Sequence, residues 1–134
     1  MKKVPINKDA YSASSKKSVG FEFLNDYYED KKYRCKKCYK QDVYTAEQQK
    51  KTFEIKKAYM WQERFICNLC YQEMIEIKKE LSEIEINYLK DKESVMRNKG
   101  ILKRWLFLLK EYPKYWRKEN TAQINFVQKA IDND

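Results

Sequence analysis

The sequence contains no histidine. That removes the commonest general base and every catalytic metal motif built on imidazole. Glycine and proline occur only twice each. A many-stranded β fold needs frequent tight turns, so this scarcity of turn formers points to helices. Long apolar runs are missing too. The longest uninterrupted one is WLFLL, from Trp105 to Leu109, far short of the roughly 18 residues of a membrane span. The opening stretch MKKVPINKDAYSASSKKS carries lysines but no apolar segment of the kind a secretory signal needs. A cytoplasmic setting is therefore expected, where cysteines serve as metal ligands or redox groups more often than as disulfides.

What the chain has in excess is positive charge. It carries 29 lysines and arginines against 20 acidic residues, a formal net charge of +9. Four thiolates around one divalent ion would remove two of those charges and leave the chain clearly basic. The sign favours an anionic partner such as nucleic acid, an acidic protein or a lipid surface. With 43% hydrophobic and 37% charged residues over 134 positions, the chain allows one domain, or a small domain with a helical extension. Its core would be modest enough that a staple helps.

The four cysteines supply that staple. Cys35-Lys36-Lys37-Cys38 and Cys67-Asn68-Leu69-Cys70 are two Cys-x-x-Cys pairs separated by 28 residues. Two thiolates in one tight turn can hold one side of a metal ion, and a second such turn completes a tetrahedron. The flanks echo each other, with Tyr33 and Tyr39 around the first pair and Phe65 and Tyr71 around the second. A thioredoxin-like dithiol would use a single pair in a βαβ setting, and an iron–sulfur cluster remains the other four-thiolate option. Two matched turns fit zinc better. A closed Cys35, Cys38, Cys67, Cys70 site leaves no position for water, so one structural Zn2+ is expected. Because such binding is worth about 10–16 kcal/mol in small sites, the module should need its metal to fold. The second pair runs straight into a helical pattern. That matches a treble clef, which takes one knuckle from a hairpin and one from a helix start; a plain zinc ribbon with two hairpin knuckles is the alternative.

The stretch YRCKKCYKQDVYTAEQQKKTFEIKKAYMWQERFICNLC resembles small bacterial zinc-ribbon domains. Their pattern of a first Cys-x-x-Cys, an apolar-aromatic strand ending in Thr, a Glu-Gln pair opening a short helix, and an Arg before the second Cys-x-x-Cys is met by Cys35, Cys38, Tyr44, Thr45, Glu47, Gln48, Arg64, Cys67 and Cys70. The family often carries Gly where Tyr39 stands and Pro before the second pair. The resemblance covers roughly residues 30–72 and implies zinc binding without implying a reaction.

The expected fold is α+β and mostly α: a small four-cysteine zinc-ribbon or treble-clef-like module followed by a three-helix tail. Residues 1–20 are polar and aperiodic and read as a flexible basic arm. Residues 21–72 form the four-cysteine module, with an internal helix from Ala46 to about Lys57 behind a Thr45/Gln48 capping box. Residues 73–134 form a helical extension, with helices expected over about 70–97, 101–112 and 121–132. Met74, Ile77, Leu81, Ile84 and Tyr88 make the stripe of the first. Asn98-Lys99-Gly100 reads as a helix stop. Ile101, Trp105, Leu108 and Tyr112 make the stripe of the second, and Ile124, Val127 and Ile131 that of the third.

For a nucleic-acid partner the candidate residues are Lys16, Lys17, Lys36, Lys37, Lys40, Lys50, Lys51, Lys56 and Lys57, with Lys2, Lys3 and Lys8 in the arm. Tyr39 and Trp61 offer stacking faces, beside Tyr33 and Tyr44. The same aromatics can instead cover the metal, and the same lysines can simply be solvated. A zinc-stapled protein–protein adaptor using the helical tail is the main alternative. Peripheral membrane contact through the basic, Trp-containing segment 99–118 is a weaker one. Glu54-Ile55-Lys56 and Glu76-Ile77-Lys78 resemble the end of a metal-dependent nuclease motif, but no Pro-Asp partner precedes them. A nuclease accessory role therefore has little support, and the chain reads as a non-catalytic binding module.

Overall fold

The computed structural model of the chain describes residues 3–133; Lys2 lies outside them. Among the described residues, four short strands, all in antiparallel pairs, and six α-helices are spread over two compact units: residues 3–35 with 39–65, and residues 36–38 with 66–133. The architecture is α+β and mostly α. This division differs from the expected boundary near residue 72, because the tip of the first Cys-x-x-Cys and the whole second pair group with the helical part.

In the first unit β1 (Lys3–Pro5) pairs with β2 (Tyr27–Glu29), and β3 (Lys31–Arg34) pairs with β4 (Gln41–Tyr44) in the register Lys31↔Tyr44 to Arg34↔Gln41. The helix α2 (Ala46–Lys50) starts on the expected capping box. Thr45 Oγ1 accepts from Gln48 N, and Gln48 Oε1 accepts from Thr45 N. Instead of running on as an α-helix to residue 57, the chain widens into one π-helical turn, Lys51–Ile55. There the Thr52 hydroxyl donates to the Gln48 carbonyl at 2.9 Å, a side-chain competitor of the helical ladder. The turn buries two successive residues, Phe53 and Glu54.

The first unit's core gathers Tyr11, Tyr28, Ala46, Phe53 and Met60, with Val4, Ile6, Phe21, Leu24 and Ala58 against it. The Tyr11 and Tyr28 rings stack on Phe53 at centroid distances of 5.9 and 6.3 Å. The expectation of a flexible arm over residues 1–20 is thus corrected for residues 3–20. They carry β1, a 3-10 turn (Lys8–Ala10) and α1 (Ala13–Lys16). Tyr11 OH shares a 2.8 Å hydrogen bond with Tyr28 OH, and Met60 N donates to Ser15 Oγ at 2.9 Å. Asn7 N donates to Glu54 Oε2 at 3.2 Å. The segment's apolar residues are too irregularly spaced to register as a helix or strand face, so its order comes from these long-range contacts. At Gly20 the backbone is left-handed (φ 93°), and an added Cβ would stand 3.2 Å from the Trp61 ring. Glycine meets both demands without strain.

The second unit contains α3 (Asn68–Lys90), α4 (Lys92–Arg97), α5 (Lys99–Glu111), a 3-10 turn (Tyr112–Tyr115) and α6 (Thr121–Asp132). Leu81, Ile84, Val95, Leu102, Trp105, Leu108, Leu109, Ile124, Val127 and Ala130 form one buried core between α3, α4, α5 and α6. The three expected stripes meet here. Two boundaries are corrected. The helix expected over 70–97 breaks at Asp91 (φ −151°, ψ 84°), whose side chain accepts from Ser94 N and starts α4. Asn98-Lys99-Gly100 is as much a start as a stop: Asn98 Oδ1 accepts from Ile101 N at 3.1 Å and caps α5.

Candidate metal centre

The β3–β4 hairpin presents the first cysteine pair at its tip. Cys35 N donates to Lys40 O and Tyr39 N donates to Cys35 O, both at 2.9 Å. Arg34 Nη1 donates to Tyr39 O at 2.7 Å. Closing the chain this tightly after two thiols forces Tyr39 into the left-handed region, φ 63°.

The second pair sits on a helix start. Cys67 is the N-cap of α3 with extended backbone (φ −71°, ψ 168°), and its carbonyl accepts from Tyr71 N at 2.9 Å. Cys70 lies in the first turn of α3. The amides of that turn have no helical acceptor, and their partial positive charge favours thiolate over thiol.

One ligand atom from each of Cys35, Cys38, Cys67 and Cys70 lies within 4.8 Å of all the others. Cys38 Sγ and Cys67 Sγ are 3.8 Å apart, far beyond the ~2.05 Å of a disulfide. A tetrahedral Zn2+ with Zn–S bonds of about 2.3 Å separates its sulfurs by about 3.8 Å. Cys35, Cys67 and Cys70 are buried and Cys38 is exposed. The four sulfurs are positioned to coordinate one metal ion, and a set made of thiols alone suits a soft or borderline ion in a closed shell.

The tip of the first knuckle is held by residues that follow α5. Lys36 Nζ lies over the Trp116 ring, 5.7 Å from its centroid, and Lys37 Nζ lies 5.1 Å from that of Tyr115. Tyr115 OH donates to Glu73 Oε2 at 3.0 Å. Burial, and then this carboxylate acceptor, push the Tyr115 phenol up to about 12. Arg117 Nε lies 2.9 Å from Met74 Sδ. Trp116 is itself left-handed (φ 65°) and 57% exposed. The sequence places Trp116 within the basic segment 99–118 without singling it out. Its only signal is the aromatic pair shortly after Pro113, flanked by Lys114, Arg117 and Lys118.

Thr45 and Gln48 form the capping box, and Arg64 links them back to the sheet. Its guanidinium lies 4.4 Å from the Tyr44 ring centroid, and Nη1 donates to Gln48 Oε1 at 3.3 Å. Tyr33 OH donates to Asp42 Oδ2 at 3.0 Å. Burial and that bond raise the Tyr33 phenol.

The nucleic-acid candidates divide. Lys16, Lys17, Lys36, Lys40, Lys51, Lys56, Tyr39 and Trp61 are exposed, and Lys37 is half-buried. Lys50 turns inward instead, with Nζ donating to Pro5 O at 2.8 Å and to Glu54 Oε1 at 2.9 Å. Lys57 Nζ donates to Ala10 O. Both fasten the N-terminal segment. Glu54 is buried, with Lys50 Nζ 2.9 Å from its Oε1, and Lys56 is exposed.

Comparisons with protein-family models, with curated proteins and with solved structures return no match to this chain. Among the described residues no helix is long and apolar enough to cross a membrane.

Proposed function

We propose that the protein is a non-catalytic binding module built around one structural Zn2+ and that it contacts nucleic acid through its basic surface. The observation that carries the zinc reading is the convergence of four cysteine sulfurs within 4.8 Å, from one hairpin tip and one helix start. A knuckle on a hairpin followed by a knuckle on a helix is the arrangement of a treble clef, and this supports that reading over a plain zinc ribbon. The ion would fix the β3–β4 tip to the start of α3, and four thiolates leave no coordination position for a reacting water. The resemblance of residues 30–72 to small bacterial zinc-ribbon domains supports the same ion.

The nucleic-acid reading rests on the net charge of +9 and on exposed lysines beside exposed aromatic rings, the pairing that phosphates and bases require. The adaptor reading loses its main support, because the apolar stripes of α3, α5 and α6 face one another in a common core.

Two measurements test the proposal. Protein purified under reducing conditions without added metal should contain close to one zinc per chain; a stoichiometry near zero overturns the zinc reading. Binding to nucleic acid should be measurable at low salt and should weaken steeply as salt rises. No binding at low salt overturns the nucleic-acid reading.

A further inference from the structure

The geometry points to Trp116 as a stacking platform for an unpaired base of single-stranded nucleic acid, with the first-knuckle lysines Lys36 and Lys37 beside it for the phosphates. This inference rests on the nucleic-acid reading above and names its ligand class and its contact residue.

Three observations converge on this residue. The first is backbone strain. Trp116 follows the 3-10 turn Tyr112–Tyr115 in a left-handed conformation (φ 65°, ψ 42°), with its N–H donating to Pro113 O. Such a terminating position is ordinarily filled by glycine or asparagine. A bulky residue there is an outlier of the kind that concentrates at binding sites.

The second is exposure. The indole is 57% exposed, whereas Trp105 is 1% exposed in the helical core. The Trp116 ring therefore offers area to a ligand that the core tryptophan cannot.

The third is charge. Lys36 Nζ lies over the ring at 5.7 Å and Lys37 Nζ lies over the neighbouring Tyr115 ring at 5.1 Å. Exposed Lys118 follows two residues on in the chain, while Arg117 Nε lies against Met74 Sδ. A cation over an aromatic ring, next to further cations, matches the alternation of base and phosphate along a single strand. A duplex does not fit as well, since its bases are already stacked and present no free face to an indole.

The test uses the zinc-loaded full chain and fluorescently labelled oligo-dT and oligo-rU of about 15 nucleotides, with a duplex of the same length as the third arm. Wild-type protein should bind both single strands more tightly than the duplex at low salt. Trp116→Gly should bind the single strands about tenfold or more weakly. Its thermal midpoint should not fall far, because glycine suits the left-handed backbone. Trp116→Phe should recover part of the affinity. Tighter binding to either single strand than to the duplex supports the single-strand assignment, and the tighter of the two shows whether DNA or RNA is the better ligand.

Wild-type binding that Trp116→Gly leaves unchanged overturns the platform while the nucleic-acid reading stands. Equal or tighter binding of the duplex overturns the single-strand assignment. Absence of all binding at low salt, including the case where only anionic lipid vesicles or an acidic protein bind, overturns the nucleic-acid reading and the platform with it. A large fall in the Trp116→Gly midpoint, with affinity per folded molecule retained, identifies the indole as packing and overturns the platform.

Discussion

Tyr39 holds a positive φ of 63° in the turn that closes the first cysteine pair, and its side chain is 68% exposed. An L-residue pays about 1–2 kcal/mol for that conformation. Glycine removes the strain but loses about 0.5–1 kcal/mol of chain entropy. Tyr39→Gly should therefore stabilise the zinc-loaded protein by about 0.5–1 kcal/mol in denaturant unfolding, and an unchanged or lower midpoint would contradict this account of the turn. Glu54 gives the opposite kind of prediction. Burial alone would raise its pKa, but hydrogen bonds from Lys50, Tyr28 and Asn7 N outweigh burial and hold it below 4.5. A depressed carboxylate contributes stability that is fully present above its unfolded value and is lost as pH falls through the folded one. Glu54→Gln should thus cost about 1–3 kcal/mol at neutral pH. The gap between wild type and variant should narrow below about pH 4.5, a window read by comparing the two proteins at each pH. At this scale the four converging cysteines were legible, because Cys-x-x-Cys spacing is a local property of the chain. The roles of Lys50 and Lys57 were not, since each depends on a partner some 45 residues away.

Helices α5 and α6 are joined by a side chain as well as by their apolar faces. Lys99 Nζ donates to Ala130 O at 3.0 Å, to Ile131 O at 2.7 Å and to Asn133 O at 2.8 Å. These are carbonyls at the C-terminus of α6, where the helix dipole favours a cation. Lys99→Met keeps most of the stem's packing and removes the charge. It should destabilise the helical unit by about 1–2 kcal/mol and speed amide exchange in the last turn of α6. Equal exchange in the two proteins would show the contact to be inert. The stripes of α3, α5 and α6 were readable because apolar residues at steps of three and four report directly on a buried face. The break at Asp91 was harder to see. No glycine or proline marks it, and the capping bond from Ser94 N to Asp91 Oδ1 competes only weakly with helix continuation in sequence terms. The π turn at Lys51–Ile55 escaped for a similar reason, since composition does not distinguish a widened turn from an ordinary one.

On the scale of the whole chain, the proposed zinc and the helical core stabilise different residues. The ten buried side chains of the helical core include no cysteine, and Trp105, Leu102 and Val127 are almost fully enclosed by α3, α5 and α6. Burial of each such side chain is worth about 1.5–3 kcal/mol and does not depend on a metal. The turn at Cys35–Lys40 has no comparable apolar burial beyond Cys35. Three hydrogen bonds close it around the strained Tyr39, and metal binding of about 10–16 kcal/mol would add far more than that strain costs. Chelation under reducing conditions should therefore act locally. Amide protection should fall across residues 35–40 and the first turns of α3, and Lys36 and Lys37 should leave the Tyr115 and Trp116 rings. Amides of Leu102, Trp105 and Val127 should stay protected, and most far-UV helical signal should remain. Global loss of protection on chelation would mean that the metal, and not the apolar stripes, nucleates the helical unit. Unchanged protection at the Cys35–Lys40 turn would mean that the cysteines hold no ion there. The expectation that the four-cysteine module needs its metal to fold is tested by the same measurement at Tyr28, Phe53 and Met60 of the first unit's core: these amides should lose protection with the knuckles if the metal holds the module, and retained protection there would contradict that expectation.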